Sequence, residues 1–240
     1  MPNPTAAMLV IGDEILSGRT RDSNTHFLAG ELTRIGIDLR EARVVSDDQP
    51  AIVEAVNALR TRYTHVFTSG GIGPTHDDIT ADAIAAAFGA RISHRADAMA
   101  LLTAHYQSRN MPFNEARQRM ARIPDGAVLI DNPVSIAPGF SLGNVHVMAG
   151  VPTVFQAMAA SVLPNLTGGA PLLSQSLRVD RGEGDVAAPL GALAAAFPDL
   201  SIGSYPFTQN GAHGTNLVVR GTDPGRVDAA MTRLATMFAP

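Results

Sequence analysis

The sequence predicts an α/β fold with a mostly parallel sheet covered on both faces, followed by a small α+β unit, and three observations carry this. First, short continuous apolar runs alternate with stretches whose apolar residues recur at helical spacing. Second, the apolar runs are uninterrupted rather than alternating, which is the mark of strands buried on both faces in a parallel sheet. Third, the Gly-Gly and Pro of Leu166–Leu173 interrupt the rhythm, after which it restarts in a different order.

In chain order, Ala6–Ile11 reads as a fully buried strand stopped by Gly12. Asn24–Ile35 carries Phe27, Leu28, Leu32 and Ile35 on one helical face, with Gly36 as the stop. Ile37–Val45 is a strand. Pro50 opens a helix whose face is Ile52, Val53, Val56 and Leu59, with Asp47 and Asp48 as its expected caps. His65–Thr68 is a short buried strand, and Ile79–Phe88 is an Ala-rich helix closed by Gly89. Helices are expected over Ala96–Arg109 and Asn114–Arg122, separated by Met111-Pro112. Strands follow at Val128–Ile130 and Val145–Met148 with the loop NPVSIAPGF between them, then a helix over Thr153–Leu163 that Pro164 ends. A domain boundary is expected between residues 167 and 168. Beyond it come strand Leu177–Asp180, helix Asp185–Phe197, strand Ser201–Tyr205, a turn at Asn210–Gly214, strand Leu217–Arg220 and helix Pro224–Phe238, an order that suits a split β-α-β layer.

Composition narrows the chemistry. Hydrophobic residues make up 45% of the 240, enough for a sizeable core, and the net charge of −4 argues against a general nucleic-acid binder. The chain has no cysteine, which excludes thiol nucleophiles, thiolate metal sites and disulfides. All 18 basic residues are arginine, so lysine-type P-loops and Schiff-base mechanisms are excluded too. The N-terminal apolar run is short and meets Gly-Asp-Glu at once, unlike a signal peptide, and no window reaches the length of a membrane span. The expectation is a cytoplasmic protein with no membrane partner.

Residues 68–80, TSGGIGPTHDDIT, are the feature richest in chemistry. Ser69, Gly70, Gly71, Gly73, Pro74 and Thr75 lie between a buried strand and a helix, where ligands sit in parallel sheets. Glycines bring backbone N–H groups close to a ligand, and a following helix N-terminus favours an anion, so a phosphate is the expected guest. Asp77 and Asp78 would repel a phosphate unless a cation intervened, which points to a hydrated divalent ion such as Mg²⁺, with Asp77 more like a helix cap and Asp78 more like a ligand. Gly12, Asp13 and Glu14 end the first strand on the same edge. Asp13 or Glu14 could bind ligand hydroxyls, a base edge or a second metal, or could simply cap the next helix. Ser23-Asn24 reads first as an N-cap pair and second as a ligand contact. The loops NPVSIAPGF and AGVP, with Asn132, Pro138 and Gly139 in the former, could lend backbone groups to the same cleft. Metal-assisted attack of water on a phosphate fits these groups best, with Asp78 and Asp77 as the candidate catalytic acids.

The strings GDEILSGRTRDSN, SGGIGPTHDDIT, NPVSIAPGF and AGVP, in this order, resemble the N-terminal domain of CinA-type competence/damage-inducible proteins, a member of the MoaB/Mog superfamily associated with molybdopterin binding. The match runs from about Met8 to Pro164, and SIGSYPF looks like the small second domain of the family. The resemblance implies a three-layer α/β sandwich and divalent-metal-dependent cleavage of ADP-ribose and related dinucleotides, using Mg, Mn or Co. It also implies that Gly70, Gly71, Gly73, Thr75 and Asp78 form the phosphate and metal loop, with Asp13 and Glu14 facing it and Asp13 a further metal ligand. Related domains accompany FAD synthase in eukaryotes, and superfamily relatives form dimers or trimers, which implies a homo-oligomer. The chain departs from the family pattern at Ser135 and Ile136, where a glycine and a threonine are usual, at Ala149 in place of proline, and at Val154 in place of an acid. Full-length members continue into an amidohydrolase acting on nicotinamide mononucleotide, an activity not implied for these residues. The alternative reading is a nucleotide- or molybdopterin-binding module without hydrolysis, linked to molybdenum cofactor assembly. A third, an interaction scaffold, rests on the fold alone.

Overall fold

The computed structural model describes residues 2–209 and 211–239, and the chain divides into two compact units between Gly169 and Ala170. The first unit contains β1 (Thr5–Ile11), α1 (Asp13–Leu16), α2 (Asn24–Arg34), β2 (Asp38–Val45), α3 (Gln49–Arg62), β3 (His65–Ser69), α4 (Thr80–Phe88) and β4 (Ile92–His94). It continues with α5 (Ala96–Ser108), α6 (Glu115–Gln118), β5 (Arg122–Pro124), β6 (Val128–Ile130), β7 (Gly139–Leu142), β8 (Val145–Met148) and α7 (Pro152–Val162).

Its main sheet has six strands in the order β2-β1-β3-β8-β7-β6. The pairings β1–β2, β1–β3 and β3–β8 are parallel; β7 runs antiparallel to both β6 and β8. The alternation of β1 sorts its side chains onto two faces. Ala7, Leu9 and Ile11 pack with Ile52, Val56 and Leu59 of α3 and Ile84 of α4, whereas Met8 and Val10 pack with Leu28 and Leu32 of α2 and Phe155 and Met158 of α7. Both faces are therefore covered, which gives three layers. Each fully buried large side chain such as Leu9, Leu28 or Phe155 contributes about 1.5–3 kcal/mol of transfer free energy to holding them together. Pro50 sits in the first turn of α3, and Asp48 caps it by accepting the Ala51 N–H at 3.0 Å.

Several elements differ from the sequence reading. The helix expected over Asn114–Arg122 is only one turn, α6, followed by a short 3₁₀ turn at Arg119–Ala121. Arg122–Pro124 is instead drawn into antiparallel pairing with Ile92–His94, a ladder that Pro124 ends. The end of NPVSIAPGF is not loop: Gly139 and Phe140 begin β7, inserted between β6 and β8. In the second unit the first strand begins at Leu173, inside the expected linker.

The second unit comprises β9 (Leu173–Val179), α8 (Glu183–Ala196), β10 (Ser201–Gln209), β11 (Ala212–Gly221) and α9 (Pro224–Met237), with antiparallel order β10-β11-β9. Val179, Leu217 and Val219 form a core with Val186 and Leu193 of α8 and Val227 and Leu234 of α9. The second strand of this hairpin resumes at Ala212, so residues 212–214 of the expected turn are extended; Asn210 of that turn lies outside the described residues. β10 runs through Pro206, tolerated because β10 is an edge strand.

At the amino ends of β3 and β8, remote from the strand ends that carry the glycine loop, His146 Nε2 lies 3.4 Å from His65 Nδ1 and His146 Nδ1 lies 2.8 Å from Ser141 Oγ. Burial, and secondarily the neighbouring His65, pushes the pKa of His146 down to about 4; burial lowers that of His65 as well. Among the described residues no helix is long and apolar enough to cross a membrane.

Candidate functional site

β1, β3 and β8 run in one direction, so the segments that follow them, Gly12–Glu14, Gly70–Asp78 and Ala149–Pro152, emerge at one edge of the sheet. The β6–β7 connection, residues 131–138, arrives at the same edge because β6 is antiparallel to β7 and hence aligned with β8. Two glycines make the loop geometry possible. Gly70 has φ +110° and a Cβ there would lie 2.1 Å from Ile11 O; Gly71 has φ +68° and its Cβ would lie 2.1 Å from Thr80 Oγ1. Thr80, at the start of α4 and fully buried, fastens the loop: its hydroxyl donates to Gly70 O at 3.0 Å and its N–H to Gly71 O at 3.0 Å.

Around this loop lies a cavity of about 530 Å³. One wall is backbone and carboxylate: Gly70, Gly71, Gly73, Pro74, Glu14 and Asp78. The other is apolar, with Met120, Ala149, Val154 and Met158, and Asn132, Ser135 and Ala137 border it from the β6–β7 loop. A small niche beside the loop is lined by Gly71, Gly73, Asp78, Arg119, Arg122 and Pro138. A second recess, of about 40 Å³, is bordered by Glu14, Thr20, Asn24, Ser69 and Gly150.

The structure distributes the residues expected at the site into several roles. Gly70, Gly71, Gly73, Pro74, Glu14 and Asp78 border the main cavity. Asp78 Oδ2 accepts both the N–H of Thr75, at 2.8 Å, and its hydroxyl, so Thr75 shapes the loop rather than lining the cavity. The Asp77 side chain is 61% exposed and does not border the cavity; the polar side chain of Thr75 beside it, foremost, holds its carboxyl below the usual range. Ser69 and Asn24 are buried and bonded to each other (Asn24 Nδ2 to Ser69 Oγ, 2.8 Å), bordering the small recess. Asn132, 1% exposed, uses its amide on its own loop: Nδ2 donates to Ser135 Oγ and Ala137 O, and Oδ1 accepts from the N–H groups of Val134 and Ser135. It scaffolds the wall. Gly139 starts β7, where a Cβ would meet Val147 O at 2.4 Å, so it serves packing; Pro138 borders the niche.

Of the pair ending β1, Glu14 borders the cavity, whereas Asp13 is exposed and its N–H donates to Asp47 Oδ2 at 3.0 Å. Asp47 is thus no partner of the α3 cap, which Asp48 makes alone. Burial raises the pKa of Asp47, and repulsion from Asp13, Glu14 and Asp77 adds to the shift. Acidic charge is therefore concentrated here, yet among the described residues no three His, Cys, Asp or Glu side chains converge to hold a metal by themselves. Two carboxylates beside the glycine loop fit a Mg²⁺-like ion that would complete its shell with water and ligand oxygens, not a resident all-protein cage.

Arg119, Arg122 and Met120 are among the site residues that sequence reasoning missed. They lie 40 or more positions beyond the glycine loop, and nothing local in their segment announces the β4–β5 pairing that brings it back.

A sheet-edge glycine loop with an attached carboxylate, in a three-layer α/β unit, defines a ligand-binding domain of the MoaB/Mog type. Residues 7–168 match the family model described as a probable molybdopterin binding domain, and the chain belongs to that family. Within it, the chain is similar to the protein CinA, of unknown function, from Thermoplasma acidophilum: 32% identity and a TM-score of 0.62 over 68% of this chain and 97% of that one. A protein of Pyrobaculum arsenaticum is 36% identical over 84% of this chain and 79% of its own length. A probable FAD synthase of Caenorhabditis elegans is 33% identical over 98% of this chain, which spans 50% of that protein. Residues 171–240 match the model described as the FAD synthase middle domain.

Proposed function

We propose that the first unit binds a nucleotide pyrophosphate of the ADP-ribose or FAD kind and hydrolyses it with a divalent cation. The observation that carries this reading is the joint presence, around one cavity, of the Gly70–Gly73 backbone and the carboxylates of Glu14 and Asp78. The likeness to an FAD synthase in both units supports a nucleotide as the ligand.

In this reading the loop N–H groups of Gly71–Gly73 orient one phosphate, and the apolar wall of Met120, Val154 and Met158 holds the flat or apolar part of the ligand away from water. Asp78, with Glu14 on the same wall, would hold the cation. Such an ion, when bound, polarises a phosphoryl oxygen and lowers the pKa of an attacking water. Thr75 fixes the Asp78 carboxylate by its two bonds to Oδ2. The water oxygen bonds to one phosphorus as the P–O–P bridge breaks, so ADP-ribose gives AMP and ribose 5-phosphate. The test is incubation with ADP-ribose, FAD, NAD and CoA in Mg²⁺, Mn²⁺ and Co²⁺, with products read by mass. Release of AMP that requires metal supports the reading, and no turnover across the panel overturns it.

Two observations favour binding without chemistry. Asp78 Oδ2 is already engaged twice by Thr75, and among the described residues no third acid joins Glu14 and Asp78. Under this second reading the ligand is molybdopterin or a nucleotide, and its affinity survives Asp78→Ala.

A further inference from the structure

We propose that Arg119 is the side chain that meets the charge of the ligand's phosphate at the glycine loop, an inference that rests on the phosphate-binding reading above. The loop contains no lysine, and the carboxylates of Glu14 and Asp78 beside it repel an anion. Without a bound cation, positive charge for the anion has to come from a side chain elsewhere in the fold. The β4–β5 pairing, with Arg122 opposite His94, returns the 3₁₀ turn Arg119–Ala121 to the loop. Arg119 there shares a niche with Gly71, Gly73 and Asp78, and its neighbour Met120 borders both the niche and the main cavity.

The bonding of this guanidinium sets it apart from the arginines beside it. Arg122 too has a buried Nε without a partner, but its Nη2 is engaged by an ion pair with Asp82. Arg117 bonds Pro112 O and lies over the Tyr106 ring, 4.5 Å from its centroid. Arg119 has a 3.4 Å bond from Nη2 to Asp78 O, at the limit of hydrogen-bonding distance, and its buried Nε has no partner. A guanidinium carries five donors in a planar fork that matches two phosphate oxygens. Phosphate oxygens at the loop would give the under-used donors of Arg119 the acceptors that the free protein does not offer. The acidic wall and the single arginine then divide the labour: Arg119 binds the anion directly, and the carboxylates recruit the cation.

The test is calorimetric titration of the full chain with ADP and with adenosine, in a chelator and again in Mg²⁺, using wild type, Arg119→Met and Arg119→Lys. Wild type in chelator is expected to bind ADP about tenfold or more tighter than adenosine. Arg119→Met should abolish most of that preference and leave adenosine affinity within about twofold, while Arg119→Lys should recover part of it as a point charge. Equal losses for ADP and adenosine would make Arg119 merely structural and overturn the inference, as would a preference that Arg119→Met leaves intact. A wild-type preference seen only with Mg²⁺ would assign the charge to the metal, sinking the role of Arg119 but sparing the phosphate site. No preference in either buffer would overturn both.

Discussion

The side-chain amide of Asn24 ties two strand ends together: its Nδ2 donates to Ser69 Oγ and to Gly150 O, each at 2.8 Å, from a residue 5% exposed. The bond to a carbonyl fixes which way the amide faces, since a flipped Oδ1 would oppose Gly150 O. Asn24→Ala should lower unfolding free energy by about 2–4 kcal/mol because it orphans a hydroxyl and a carbonyl together, whereas Ser69→Ala should cost about 1 kcal/mol. Urea titrations of the two variants check the ranking.

Gly70→Ala should be among the most damaging single-methyl changes in the chain. Its Cβ would sit 2.1 Å from a main-chain oxygen, in a backbone conformation that L residues rarely adopt. The loop must shift to relieve this, so a fall in Tm and loss of ADP-ribose binding by calorimetry are expected together. Gly30→Ala, in α2 with open space around the new methyl, should leave Tm unchanged or higher.

Acid should weaken the fold through His146. Its pKa in the folded state, about 4, lies below the unfolded value of 6.5, so the unfolded chain binds the proton first. The stability is complete above pH 6.5 and drains away as pH falls toward 4, by about 3 kcal/mol in all at 1.36 kcal/mol per pKa unit. His65 acts in the same direction. His146→Gln should flatten the slope of unfolding free energy against pH between those limits, read from urea melts at several pH values.

Asp77 and Asp78 are adjacent in sequence but should differ in function. Asp78 borders the cavity and Asp77 does not. Asp78→Ala is expected to reduce metal-dependent AMP release by about 100-fold or more, against less than about threefold for Asp77→Ala. Steady-state assays at saturating Mn²⁺ measure both.

What the residues disclosed in advance followed from local rules. A continuous apolar run such as Ala6–Ile11 and the Pro50 helix start are settled within a few positions, and the glycine loop is legible because strand, glycines and helix adjoin. What stayed hidden depends on partners far along the chain. Arg119 reaches the loop only because Arg122–Pro124 pairs with Ile92–His94. Asn132 borders the cavity from its loop, and nothing local announces that its amide is spent on Ser135 and Ala137. Asp47 and Asp48 looked alike as caps; the fold separates them by giving Asp47 the Asp13 N–H. Gly139 reads as a turn residue until β7 is seen threaded between β6 and β8.

Gly150 packs its backbone against that of Gly70, where a Cβ on Gly150 would lie 3.3 Å from the Gly70 Cα. Together with the Asn24 bridge, this leaves no slack between the end of β8 and the end of β3. The strip that bears the apolar wall and the glycine loop thus behave as one machined part. Remodelling the wall at Ala149 or Val154 would transmit a displacement to the glycine loop. Engineered changes of ligand preference should therefore arrive with altered turnover, and selective ones will need a compensating change on the Gly70 side of that joint.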